Sequence, residues 1–415
     1  MRRVTLVHAG ATAFVVLMAG CISPGPARQS SNCREQRPSP VGELVNSRPA
    51  SSSPDVAALA SHQIPADGLS ESGSYRVLKP HDAQCAAAAH CPVANALWYE
   101  SEIVASQSLK HHPALQRSAE VCGEAMAYRA ADQRNRAAAQ ALELFYLLAE
   151  AEANRDFVTR SKTQIDAMLE EVRELESRGI RVERGAAEFQ RQQLELLDRQ
   201  SELQLSLAQA NSRLRQLMGL SFDEPTPIWP EIDWKVGVEP IDVHAAVSDG
   251  LYRRADLNLL RMLIQSLDAD SLDGVRLSLS TMTGMPGVPR AANYLLCGSG
   301  DELGSRRCQL NDLLTRQELA AAEEIRQAAF AIEIRLQQVA VAKRMVDHFR
   351  DQLQMQRLLR ERPGSTLTAL DIAAADLKLL DTQRQLVHQV MALRIAQVKL
   401  KEAQGLLVFE CSDCR

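Results

Sequence analysis

Aromatic side chains make up only 4% of the 415 residues. A cleft enzyme needs bulky side chains around its pocket, whereas a chain rich in Ala, Leu, Gln, Glu and Arg suits long helices that meet along narrow seams. The formal net charge is −5 and no long Lys/Arg block is present, so the chain lacks the phosphate-neutralising surface of a nucleic-acid binder. No HExxH, GxSxG or phosphate-cradling Gly loop occurs, which leaves no catalytic, cofactor-binding or metal-binding residue to nominate. His81, Cys85, His90, Cys91, His111 and His112 crowd one stretch, but their spacing fits no zinc pattern and reads as a surface segment with scattered histidines. Proline is missing from Ala114 to Glu224. That absence permits uninterrupted helix over more than a hundred residues.

What the chain does have begins at its start. Arg2 and Arg3 precede a short apolar run from Ala9 to Met18, and Met18-Ala19-Gly20 lead into Cys21. This is the pattern of an export signal, too short to span a bilayer. It resembles the lipobox of bacterial lipoproteins, which implies cleavage before Cys21 and acylation of its thiol. Eight cysteines then remain: Cys33, Cys85, Cys91, Cys122, Cys297, Cys308, Cys411 and Cys414. An even count fits an oxidising compartment, although eight thiols allow 105 pairings. Cys297 and Cys308 bracket a Gly-rich loop and are the favoured disulfide. Cys411-Ser-Asp-Cys414 has no second CxxC and no thioredoxin-like surroundings, so it reads as structural or unpaired before it reads as a redox pair.

Six segments follow from composition and periodicity. They are a signal peptide and lipobox (1–21), a disordered Ser/Pro-rich tether (22–80), a first helical repeat (81–220), a Trp/Pro-rich connector (221–242), a second helical repeat (243–407) and a Cys-containing tail (408–415). In the first repeat Val158, Ile165 and Val172 form a row at intervals of seven, with Met168 and Leu175 beside it. After a break at 179–185 the sevens resume as Phe189, Leu196, Leu203, Ala210 and Leu217, joined by Leu207 and Leu214. The second repeat carries Ile325, Ile332, Val339, Val346 and Leu353, and after Pro363-Gly364 it carries Ile372, Leu379, Leu386, Leu393, Leu400 and Leu407. Strict sevens keep a seam against a partner helix under a gentle left-handed supercoil. The expected fold class is therefore all-α dominated: long antiparallel coiled-coil helices in two internal repeats, with at most one short β-hairpin. The alternation of Val275, Leu277 and Leu279 with Arg276, Ser278 and Ser280 marks where that hairpin is expected. Each repeat has a long helix, a Gly-containing turn, and a returning helix that ends at a Gly, namely Gly219 and Gly405.

These features together resemble the TolC-type outer-membrane efflux family, over roughly Pro113 to Leu407. The residues that carry the resemblance are the start His112-Pro-Ala-Leu115, the start Arg254-Ala-Asp-Leu257 of the second half, the tip Gly364-Ser-Thr-Leu-Thr-Ala-Leu-Asp371-Ile372, and the close Leu400-Lys-Glu-Ala-Gln-Gly405-Leu-Leu407. The resemblance implies a homotrimer whose helices line a periplasmic conduit, working with a periplasmic adaptor and an inner-membrane pump. It further implies an outer-membrane lipoprotein facing the periplasm, held by an acyl anchor. Family members carry a strand pair in each half that closes a shared barrel. No strand-like segment occurs here from Ala114 to Arg178, so a reduced or missing barrel is expected. The alternative reading is a degenerate relative that serves as a periplasmic scaffold or adaptor without transport activity. By the same resemblance the turn at Pro363-Gly364 is the partner-docking tip, with Arg357, Arg360, Arg362, Gly364 and Asp371 as its residues. The turn of the first half, flanked by Arg178, Arg181 and Arg184, is expected beside it. Arg at a helix C-terminus also offsets the helix dipole, so these residues have a structural reading as well.

Overall fold

Four helices dominate the architecture, and their seams are the rows of sevens. The computed structural model describes residues 43–45, 75–111, 113–180, 185–221, 226–237, 240–283, 302–363 and 367–411. In chain order they form β1 (Glu43–Val45), β2 (Tyr75–Leu78), α1 (Pro80–Ala89), α2 (Pro92–His111), α3 (Pro113–Ser177), α4 (Ala186–Leu217), β3 (Ile228–Pro230), α5 (Val243–Arg253), α6 (Ala255–Gln265), α7 (Leu272–Thr283), α8 (Glu302–Arg360), α9 (Ala369–Ala403) and a 3-10 turn (Phe409–Cys411). All lie in one unit, Pro40–Arg415. At 1.5 Å per residue, the 65 residues of α3 run about 100 Å and the 59 of α8 about 90 Å. Among the described residues no helix is long and apolar enough to cross a membrane.

Ile325, Ile332, Val339, Val346 and Leu353 are all buried, as are Leu379, Leu386, Leu393, Leu400 and Leu407. Most of these enter one cluster with Phe145, Leu148 and Phe157 of α3 and Leu207 and Leu214 of α4. The core is thus a long seam between α3, α4, α8 and α9. Alanines at α3 positions 138, 139 and 141 and at α1 positions 83, 86, 87 and 88 are buried too, which lets α1 lie close against α3.

A small sheet crosses this body. β1 pairs antiparallel with β2, and β2 pairs parallel with β3, setting Val77 opposite Trp229. Two of these strands fall within the stretch expected as tether. Tyr75 and Leu78 are buried, Tyr75 meets Trp229 edge to face at 6.3 Å, and the Ile228 amide donates to Asn211 Oδ1 at 2.7 Å. The end of that stretch is therefore structured by apolar contacts and by pairing with β3, which α4 in turn holds through Asn211.

One expectation is corrected in detail. The alternating segment around Val275 is not a strand: it forms α7, with Val275 and Leu279 buried one turn apart and Leu277 54% exposed. Spacing of four on one helical face explains the same residues as well as alternation does. In addition, a single residue separates the end of α2 from the start of α3, which leaves no room for a strand pair there. Among the described residues no strand exceeds four residues.

Glycine ends three of the long helices. Gly179, Gly219 and Gly405 have φ of 77°, 67° and 72°. Behind each, two amides turn back into the last helical turn, as with Gly405 N to Glu402 O at 2.9 Å and Leu406 N to Lys401 O at 3.0 Å. This closure satisfies carbonyls that the helix itself leaves open. Gly274 of α7 has a different role. A Cβ there would lie 2.4 Å from the Ser118 carbonyl oxygen and 3.0 Å from its Cα, so α7 rests directly on the backbone of α3. Gly274→Ala should lower stability by about 1–3 kcal/mol, because backbone cannot yield as a side chain can. Gly179→Ala, with nothing near its Cβ, should cost only the left-handed penalty of about 1 kcal/mol. Chemical unfolding of the two variants compares them directly.

Candidate functional site

Two regions carry concentrated charge: the turns at one end of the long helices, and a pocket beside the ends of α5 and α9.

At the first, Val172 and Met168 of α3, Phe189 of α4 and Ala373 of α9 share a buried cluster. This brings the end of α3 and the start of α4 beside the start of α9. A carboxylate meets the first turn of each of these two helices, α4 and α9. Glu176 accepts from the Ala186 amide at 3.1 Å. Asp371 accepts from the Thr368 amide at 2.8 Å and from its hydroxyl at 2.7 Å, while the Asp371 amide donates back to Thr368 Oγ1 at 3.2 Å. The Thr368 amide and hydroxyl hold the Asp371 carboxyl below the usual carboxylate range. Asp371 is thus the third residue of a capping box, a structural task that its place in the sequence pattern did not reveal. Arg357 reaches Asp376 Oδ1 at 3.8 Å across the α8–α9 turn. Burial pushes the Asp376 carboxyl up, and Arg357 and Arg160 oppose that shift. Arg360 and Arg362 are exposed. Leu358 and Leu359 beside them are exposed as well. Arg178 pairs with Glu174 one turn back. Gly364, Arg181 and Arg184 lie outside the described residues.

The second region was not anticipated as a site. A pocket of about 780 Å3 is walled by α3, α8, α9, the α5–α6 junction and residues 405–409. Arg254 is its central tie. The guanidinium donates to Asp256 Oδ1 at 3.1 Å and Oδ2 at 2.9 Å, to Glu324 Oε2 at 2.6 Å and to the Ala403 carbonyl at 3.1 Å. Burial would lower the basicity of Arg254, but the two carboxylates more than offset it and raise the pKa. Asp256 shows the mirror case: burial favours its neutral form, yet Arg254 and the Gln317 amide hold the carboxyl below its ordinary value. The opposite happens on the facing wall. Burial raises Glu402, and the nearby Glu143 adds to the rise against Arg136 and Lys399. Burial likewise raises Asp132, opposed first by Arg136. Asn135 fastens the end of α9, donating to the Glu402 carbonyl at 3.0 Å and accepting from the Leu407 amide at 3.1 Å. No grouping of three or more His, Cys, Asp or Glu suited to a metal occurs among the described residues.

Beside this pocket Cys85 of α1 is bonded to Cys411 in the 3-10 turn. The two are 326 residues apart, and closing such a loop stabilises by about 2–5 kcal/mol. Neither partner was paired from sequence. Cys308, expected in a different bridge, is exposed on α8 with a free thiol, and Cys297 lies outside the described residues, as does Cys21.

No protein-family model and no curated protein matches the sequence. The likeness lies in the fold. The Campylobacter jejuni outer membrane channel CmeC superposes with a TM-score of 0.61 at 12% identity, over 79% of this chain and 85% of CmeC. The Neisseria gonorrhoeae MtrE outer membrane channel, in its open state, gives 0.58 at 11% identity, over 79% of this chain and 88% of MtrE. The outer membrane protein VceC of Vibrio cholerae gives 0.56 at 13% identity, over 79% of this chain and 96% of VceC. The fold is therefore that of the helical outer-membrane channels, as the order of motifs implied.

Arg254→Ala should destabilise the protein on the order of 3 kcal/mol, because it strands the partly buried Asp256. Arg254→Lys should recover only part of this, since an ammonium cannot grip both carboxylates in the fork geometry. Glu402 gives a prediction of opposite sign. An acid whose pKa rises on folding favours the folded state most below its unfolded pKa, and that contribution is lost as pH climbs through the raised value. Glu402→Gln should accordingly raise the unfolding midpoint at pH 8 and change it little at pH 4. Thermal unfolding at the two pH values measures both.

Proposed function

We propose that this chain is one subunit of a lipid-anchored, outer-membrane-associated efflux or secretion conduit, a homotrimer whose helices line the periplasmic passage. The observation that carries the reading is the fold itself, shared over 79% of the chain with solved outer membrane channels. A surface feature supports the ring. On α8, Leu319, Phe330 and Val341 recur at intervals of eleven and are 68%, 62% and 57% exposed. Eleven residues are close to three helical turns, so the three share one outward stripe. Leu194 and Leu205 on α4 repeat the interval and are likewise exposed. Two different apolar stripes on one chain suit a head-to-tail contact between copies, which closes into a ring when the rotation allows.

In this reading acylated Cys21 holds the chain at the outer membrane and the Arg357, Arg360 and Arg362 end meets a periplasmic adaptor bound to an inner-membrane pump. The absent strand pair between α2 and α3 favours a second reading, a periplasmic scaffold or adaptor of the same fold that does not conduct. Oligomeric state divides the two. Purified in detergent, the chain should have the mass of a trimer and form a ring by negative-stain imaging. Phe330→Glu should convert it to monomer with unchanged helical circular dichroism. A parent protein that is monomeric at micromolar concentration excludes the conduit. The tip has its own test. Exchanging Arg357, Arg360 and Arg362 for Glu should reduce cross-linking to the adaptor at least tenfold and leave helicity intact. Unaltered cross-linking removes the docking role.

A further inference from the structure

We infer that the pocket around Arg254 is a binding site for a monovalent organic cation with an apolar body, held by the Glu143 and Glu402 carboxylates over a floor of alanines. The site belongs to a single chain and does not depend on ring formation.

Its room comes from small side chains. Ala392, Ala396 and Ala403 of α9 and Ala328 and Ala331 of α8 line the pocket, so three long helices meet there with little between them. The resulting volume, about 780 Å3, is that of a small-molecule site. Lys399 and Ala331 line it and are exposed, so it opens to solvent. Alanine side chains offer no hydrogen-bonding atom, and Val408 and Phe409 add further apolar surface. The bulk of a ligand seated here is therefore apolar.

Five acidic and five basic side chains line the pocket, and its preference depends on which of them are already matched. Arg254 is taken by Asp256 and Glu324. Arg136 lies 2.9 Å from Asp132, Arg253 stands over the Phe409 ring at 6.0 Å, and Arg335 donates to Gln338 at 2.8 Å. Lys399 is exposed and hydrated. The two remaining carboxylates differ from all of these. Glu143 and Glu402 are half-buried, and neither carboxylate has a hydrogen bond or ion pair among the described residues. Burial pushes the Glu402 carboxyl up, and the Glu143 charge pushes it further against the pull of Arg136 and Lys399. An entering cation relieves both effects at once, since it supplies the missing opposite charge to two desolvated acids. An anion meets the reverse situation, with its basic partners engaged or hydrated and the two carboxylates opposed to it.

Equilibrium dialysis of the purified full chain with tetraphenylphosphonium tests the site, against a protein-free blank of the same detergent content. Tetraphenylborate has the same shape and the opposite charge. The phosphonium should saturate near one ion per chain, and the borate should bind roughly tenfold more weakly or less. Glu402→Gln and Glu143→Gln should each weaken phosphonium binding roughly tenfold, the loss of one charged contact, with helical circular dichroism unchanged. Ala331→Trp fills the pocket from an exposed position and leaves both carboxylates in place, and it should abolish binding. No cation site exists if the parent retains no phosphonium, as when a second copy of the chain occupies the pocket. The assignment is equally overturned if the borate is retained as strongly as the phosphonium, or if the three variants bind as the parent does.

Discussion

A helix of 65 residues has no interior of its own. It persists in water only where a continuous apolar stripe is covered by neighbours, since propensity alone contributes little net stability. Every other feature of this fold depends on that constraint. The buried row from Ile325 to Leu353 meets the row from Leu379 to Leu400, and α3 lies along the helix that carries the second. Aromatic residues are rare because a seam one side chain wide has room for Leu, Ile, Val and Ala but seldom for a ring. Phe145 and Phe157 are the two buried rings of this long cluster.

The periodic part of this arrangement was legible in the sequence because a seam repeats its requirement every seven residues, and a repeated signal survives local noise. What occurs once was harder to read. Val275, Leu277 and Leu279 span only five residues, too few to distinguish a period of two from one of 3.6, and the tie-breaker was the contact of Gly274 with Ser118, which has no local signature. The Arg254-Ala-Asp256 run was visible as a marker of the second half, but its task of holding Glu324 and the last carbonyls of α9 depends on residues 70 and 149 positions away. Asp371 was read as a contact residue. Its hydrogen bonds to Thr368 make it a helix cap, and the Thr-x-x-Asp spacing was the signal that could have shown this. The bridge between Cys85 and Cys411 had no such signal, because nothing in the intervening 326 residues reports that the two ends meet.

Charge is distributed with a clear division of labour. At the turns, Arg360 and Arg362 face solvent, which suits a surface that meets something else. In the pocket, the guanidinium of Arg254 is shared among two carboxylates and a carbonyl, and its work is internal. The raised Glu402 and Asp132 opposite it are the exception, since burial there is only partly offset by Arg136. Such a locus responds to protons, and it lies where four separate stretches of the chain converge.

The bridge from residue 85 to residue 411 also decides how the molecule bears mechanical load. A pull on the chain upstream of Cys85 passes through one covalent bond to Cys411 and bypasses the whole loop of helices between them. Those helices can then be extracted only by shearing α1 and the 3-10 turn away together, many contacts at once, instead of peeling residue by residue from the pulled end. A chain pulled from its N-terminal side is in this way protected at the point where traction enters.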